Sequence, residues 1–211
     1  MKNPMELSKQ IEKSIRKICD RERISLHEPE FSGKELIYLK DCVDSTFVSS
    51  VGKYVDRFES DLCNFTGSKY SVAVVNGTAA LHIALVVAGV EPDDEVLIPS
   101  LTFVATANAV RYCNASPHFI DCQINQPNID CDKLDQWLSD VTQIKKGNCF
   151  NKITGRRIRA LIPMHAYGHP CDLDALVSIA SKYKLILIED AAESIGSFFK
   201  GRHTGTLGEM G

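Results

Sequence analysis

This chain contains no Cys-x-x-Cys pair, and its 8 cysteines, Cys19, Cys42, Cys63, Cys113, Cys122, Cys131, Cys149 and Cys171, are scattered. That spacing offers neither a structural zinc motif nor a disulfide framework, so reduced thiols are expected, several of them filling the core. No Gly-x-Gly-x-x-Gly follows a strand-like run and no Gly-x-Ser-x-Gly occurs, which removes the dinucleotide fingerprint and the nucleophile elbow. Positive charge is not in excess either. The formal net charge is −3 and no basic cluster is interleaved with aromatics, so nucleic acid is not an expected partner. No apolar run nears the roughly 20 residues that span a bilayer, and Met1 to Asp20 lacks a signal-peptide core. A cytoplasmic protein without a membrane partner is expected.

What is present is a globular composition, 44% hydrophobic over 211 residues, enough for one substantial domain with or without an appendage. Leu7, Ile11, Ile15 and Ile18 give a helical period over residues 5 to 20, an amphipathic helix. Helical stretches at Lys34 to Ser45 and Lys53 to Phe65 flank a Ser/Val/Gly-rich loop, Thr46 to Gly52. From residue 70 the pattern is regular. Strand-like runs at 70–75, 95–98, 117–121, 159–164 and 185–190 alternate with helical patterns at 78–88, 102–113, 131–140 and 172–183, the order of an α/β fold with a mainly parallel sheet. Residues 141–158 have no periodicity and read as an exposed loop or hairpin, and Phe198 to Arg202 reads as a second hairpin.

Three places along this pattern can carry chemistry. Asn76-Gly77-Thr78 joins a strand-like run to a helix, where Gly77 permits close backbone approach and Thr78 adds a hydroxyl, a cradle for phosphate. The same residues would also serve as an ordinary helix cap through Asn76 or Thr78. Phe103 ends the second strand-like run and offers either a stacking face for a planar ring or a core residue at a helix start. Asp190 follows the apolar run Leu185 to Ile188, at the strand end where open α/β sheets bind ligands. It could pair with a cationic ring, cap a helix or bind a metal. Opposite charges about 4 Å apart attract by roughly 4 kcal/mol at an effective dielectric near 20, about three pKa units, enough to keep a pyridine nitrogen protonated as an electron sink. Glu193 stands three residues on, within reach of a ring oxygen or of the following turn. His165, His169, Cys171 and Asp172 are grouped, but Gly168 and Pro170 break any helix that would align the histidines, so no metal site is expected and Asp172 reads as a cap.

In that order, these elements resemble the DegT/DnrJ/EryC1/StrS family of pyridoxal-phosphate-dependent sugar aminotransferases, over about Leu26 to Gly211. Asn76 to Leu81, Pro99 to Ala109, His165 to Gly168 and Glu189 to Glu193 carry the resemblance. It implies an aspartate-aminotransferase-like α/β large domain at 67–211, truncated, behind an N-terminal helical segment and substrate loop at 1–66, with the C-terminal small domain absent. It implies pyridoxal 5′-phosphate held by Gly77 and Thr78 at its phosphate, stacked on Phe103 and paired with Asp190. Glu193 stands where many relatives place His or Gln near the ring's 3-oxygen. Ser49, Ser50 and Gly52 belong to a segment, 49–59, similar to enzymes that aminate C4 of a UDP-linked 4-keto-6-deoxy sugar. The implied reaction is two-stage transamination from glutamate to a nucleotide-linked keto sugar, in a homodimer when the chain is full length. The family's Schiff-base lysine comes after the stretch Gly205 to Gly211, so it is expected beyond Gly211, and Lys200 is no convincing substitute. On that reading the 211-residue chain is an inactive fragment. The alternatives are a cofactor-binding remnant and a pyridoxamine-phosphate-dependent sugar dehydratase relative.

Overall fold

The computed structural model describes residues 3–19, 21, 23–25 and 29–211. They fall in two compact units, one ending at Ser50 and the other running from Val51 to Gly211. The smaller unit holds α1 (Pro4–Arg16) and α2 (Glu35–Ser45). Asn3 caps α1 by accepting the Met5 N–H at 3.1 Å, Pro4 fits the first turn, and Lys13 and Arg16 face the negative end of the helix dipole. The helix stops at Arg16, short of the expected residue 20, and Leu7, Ile11 and Ile15 on its apolar stripe are exposed.

The larger unit opens with α3 (Lys53–Thr66), which the sequence reading grouped with the N-terminal segment 1–66. It continues through α4 (Gly77–Val87), β1 (Glu95–Pro99), α5 (Val104–Tyr112), β2 (Ser116–Ile120), α6 (Cys131–Val141), β3 (Thr142–Lys145), β4 (Asn148–Asn151), β5 (Arg157–Leu161), α7 (Leu173–Tyr183) and β6 (Ile186–Leu187). The short hairpin β7 (Phe198–Phe199) and β8 (Arg202–His203) follows. Strands β2, β1, β5 and β6 lie side by side and parallel, and the β3–β4 hairpin adds antiparallel to β5, making six strands. Residues 141–158 are therefore a hairpin that extends the sheet, with Cys149 and Asn151 buried.

The strand expected at 70–75 has no ladder. A strand needs a neighbour to take its backbone groups, and among the described residues this run has none: the Ala73 N–H instead donates to Glu59 at 2.7 Å, and Val72 and Val75 are exposed.

Alternating side chains feed two cores, one on each sheet face. Val96 and Ile98 of β1 join Leu81, Leu85, Val110 and Ile188 under α4 and α5. Leu97 joins Leu134, Leu138, Leu173, Leu176 and Leu187 under α6 and α7. Buried thiols contribute as expected, and burial pushes Cys171 up to about 12, which leaves it an unreactive filler.

Orientation of α4 is set at the amino ends of the strands. Arg159 is an extra residue in β5, where Glu95 faces Ile158 and Val96 faces Ala160, and its Nε donates to the Ala88 carbonyl at 2.7 Å. Arg157 donates to the buried Asp94 at 2.6 Å and to the Gly89 carbonyl at 3.1 Å. Holding the last turn of α4 at the amino end leaves its first turn, Gly77, at the carboxyl rim.

At that rim the segment 205–210 runs alongside β6, with the Glu189 N–H donating to Met210 and the Glu209 N–H to Leu187. Glu189 is buried among donors. Its Oε1 accepts the Leu207 and Gly208 amides, each at 2.7 Å, and its Oε2 accepts the Gly205 amide at 2.8 Å and His165 Nε2 at 2.9 Å. Because His165 Nδ1 accepts the Cys171 amide at 3.1 Å, Nε2 carries the proton. Burial alone would raise the Glu189 carboxyl, but the His165 donor and the three amides outweigh it and hold the group below its ordinary 4.5. Gly208 is required by space, since a Cβ there would lie 2.6 Å from the Leu187 carbonyl.

Two outcomes are expected. The depressed Glu189 group contributes stability that is complete above the ordinary carboxylate range and is lost as pH falls through it and then through the folded value. Urea unfolding at pH 7, 5, 4 and 3 should show that loss, and Glu189→Gln should remove it from the profile at a cost on the order of 3 kcal/mol at pH 7. Gly208→Ala should destabilise at all of these pH values, because its added methyl meets backbone that cannot withdraw.

Candidate cofactor site

Asp190 prolongs the sheet past β6. Its N–H donates to Pro163 at 2.8 Å and its carbonyl accepts the His165 N–H at 3.1 Å, so the backbone is fixed before the side chain is considered. The side chain is buried. Oδ2 accepts Thr106 Oγ1 at 2.6 Å, while among the described residues Oδ1 has only the Ala192 amide at 3.4 Å, beyond a good hydrogen bond. Residues after Asp190 form turns, so the helix-cap reading of this residue does not apply.

Thr106 belongs to α5, and the same helix presents Phe103. Phe103 takes the N-cap position with extended backbone, its N–H donating to Met164 Sδ at 3.3 Å, and 63% of the residue is exposed. The core reading of Phe103 therefore fails. Thr102 Oγ1, 2.8 Å from Thr106 Oγ1 and 3.2 Å from Met164 Sδ, completes a link from Phe103 to Asp190.

The start of α4 lies beside this turn. Asn76, one of the two caps the sequence offers, caps the helix, its Oδ1 accepting the Ala79 amide at 2.9 Å. Among the described residues the Gly77 and Thr78 amides have no hydrogen-bond partner, and they carry the positive end of the helix dipole. A Cβ placed on Gly77 would stand 3.9 Å from Ala192 Cβ, which puts the helix start within two residues of Asp190. Gly77, Thr78, Phe103 and Asp190 thus share one rim.

Glu193 is at the same rim but engaged. Its Oε2 accepts the Tyr167 amide at 2.7 Å, fastening the turn Ala166–Gly168, in which Tyr167 takes a left-handed φ of 55° and is 82% exposed. Ser49 and Ser50 end the smaller unit, and Gly52 is the N-cap of α3 in the larger one. Both ring nitrogens of His165 are engaged, His169 is exposed, and Asp172 caps α7 through the Ala175 amide at 3.2 Å. Lys200 sits in the β7–β8 turn and pairs with Asp174.

The sequence reading missed Thr106, Met164 and the role of Glu189. Thr106 is a polar residue one helical turn from Phe103, which marks it as a rim residue, but its partner is 84 positions away. Glu189 carried a signal in being an acid directly continuous with an apolar strand.

Comparison with known proteins identifies the family. The model of the DegT/DnrJ/EryC1/StrS aminotransferase family matches residues 29–211. The chain is 38% identical to a GDP-perosamine synthase of Caulobacter vibrioides, covering 91% of this chain and 47% of that protein. It is 36% identical to the putative pyridoxal phosphate-dependent aminotransferase EpsN of Bacillus subtilis, covering 90% and 46%. Among solved structures, an aminotransferase from Psychrobacter cryohalolentis superposes with a TM-score of 0.73 at 28% identity, over 85% of this chain and 42% of that one. The chain spans about half the length of the curated relatives it matches. With a family model that covers most of its residues, this chain belongs to the DegT/DnrJ/EryC1/StrS aminotransferase family.

Proposed function

We propose that the rim binds pyridoxal 5′-phosphate and serves the transamination of a nucleotide-linked 4-keto-6-deoxy sugar. The observation that carries this reading is the joint placement of a buried carboxylate with one weakly engaged oxygen, Asp190, and the Gly77 and Thr78 amides, which have no partner among the described residues. The donor set fits the group. Two amides and the Thr78 hydroxyl at a helix start suit a phosphate dianion, the Phe103 ring suits one face of a pyridine, and Asp190 suits a protonated ring nitrogen. When bound, the cofactor supplies an electron sink for the carbon attached to it.

The protein's own part is positional. Thr106 fixes one oxygen of the Asp190 carboxylate, and the other, weakly engaged, would be the one to pair with the ring nitrogen and favour its protonated form. Glu193, held by Tyr167, lines the same edge near where the ring's 3-oxygen would come. Ser49, Ser50 and Gly52 would line the sugar-nucleotide path, with glutamate as amino donor and a homodimer as the working assembly. Lys200, in the β7–β8 turn and paired with Asp174, is not proposed as the proton-moving lysine. Pyridoxamine-phosphate-dependent dehydration is the second reading.

Titration with pyridoxal 5′-phosphate, followed by absorbance and induced circular dichroism, tests the cofactor site. Binding is expected in the wild-type chain, and Asp190→Asn should weaken it about tenfold or more, the equivalent of about 1.4 kcal/mol. Equal binding by the two proteins, or none by the wild type, would contradict the site. The family resemblance of residues 49–59 implies a UDP-linked sugar, whereas the GDP-perosamine synthases among the relatives are named for a GDP-linked one. Saturation-transfer NMR with both nucleotide sugars is expected to give a signal for the UDP form that weakens on Ser50→Ala; a response to the GDP form alone would reassign the nucleotide.

A further inference from the structure

We infer that Glu189 is a positioning residue for the cofactor-facing acid, Asp190, acting as the anion around which the glycine-rich turn 205–208 is built. The inference deepens the proposed cofactor site and rests on it.

The geometry leaves Glu189 one workable state. Four donors meet its two oxygens, three of them backbone amides that cannot change roles and the fourth a His165 nitrogen whose proton is fixed by the Cys171 amide at the other end of the ring. An ionised carboxylate is the one acidic side-chain form that accepts at every point; a protonated acid or a glutamine would turn a hydrogen toward a donor. The successive Leu207 and Gly208 amides on Oε1 form an anion nest of the kind that elsewhere holds phosphate, and here the chain's own carboxylate fills it.

That nest controls Asp190 through the sheet. Adjacent strand residues face opposite ways: Leu187 enters the core under α6 and α7 while Ile188 enters the one under α4 and α5. Glu189 follows the first parity toward His165, and Asp190 the second toward Thr106. Segment 205–210 flanks β6 on one side, through the Glu189 and Glu209 amides, and Pro163 to His165 flanks it on the other, through the Asp190 amide and carbonyl. The Glu189 side chain bridges both flanks at once, to Gly205, Leu207 and Gly208 on one and His165 on the other. Loosening it frees the two walls that fix the Asp190 backbone, although Glu189 itself lies on the face away from the ring.

The test compares the wild-type chain with Glu189→Gln, using pyridoxamine 5′-phosphate labelled with 15N in the ring. In the wild type, slow amide exchange at Gly205, Leu207 and Gly208 and a bound ring nitrogen with a protonated shift are expected. In the variant, below its unfolding temperature, exchange at those amides should accelerate and cofactor affinity fall, each by about tenfold or more, with the ring nitrogen moving toward its unprotonated shift. A variant with a lower melting temperature but wild-type affinity and ring shift would show a merely structural role and overturn the positioning role alone. Fast exchange of these amides in the wild type would overturn it as well. A wild-type chain with protected amides that takes no cofactor would instead overturn the cofactor reading, and the positioning role with it. Should the Gln variant not fold, Glu189→Asp carries the same comparison, since it keeps the charge and withdraws it by one methylene.

Discussion

An ionised carboxylate held inside the protein by four donors is the constraint on which the rim depends. Desolvating an anion is costly, and the cost is offset only when its lone pairs are filled. Glu189 meets that condition by drawing Gly205, Leu207, Gly208 and His165 onto itself. The consequence is directional. A segment without regular hydrogen-bonding of its own becomes the neighbour of β6, and β6 then delivers the next residue, Asp190, at a fixed place on the opposite face. Glycine at 208 is part of the same arrangement, because the backbone there approaches the Leu187 carbonyl more closely than any side chain allows.

The second constraint acts at the far end of the sheet. Arg157 and Arg159 grip the last turn of α4 and the residues beyond it, so the helix runs from the carboxyl rim to the amino edge and brings its first-turn amides beside Ala192. Short helix α5 does two jobs within one turn, exposing Phe103 and sending Thr106 to Asp190. Positive helix start, aromatic face and buried acid thereby converge from chain positions more than one hundred residues apart, which is how a parallel sheet assembles a site at its carboxyl edge.

Much of this was legible because its cause is local. The caps Asn76 and Asp172, the apolar run ending at Ile188 and the helical periods of α2, α3 and α7 are written in neighbouring residues, and the structure has them within a residue or two. The run 70–75 has a strand's composition and no ladder, since pairing depends on a neighbour that composition cannot supply. The Glu193 carboxylate could be placed near the rim and Gly168 and Pro170 mark a turn at Ala166–Gly168, but the bond from the Tyr167 amide joins residues 26 positions apart that only the fold brings together. Thr106 and Glu189 carried a local signal of position but not of role, because their partners are brought in by the sheet and only the folded register identifies them.

The central claim is that one small molecule bridges the α4 start and Asp190. A crystal structure of the chain grown with pyridoxal 5′-phosphate tests it most directly. The account requires the phosphate on the Gly77 and Thr78 amides, the ring against Phe103 and its nitrogen within hydrogen-bonding distance of Asp190. A cofactor seated elsewhere, or seated here with its nitrogen turned away from Asp190, would contradict it.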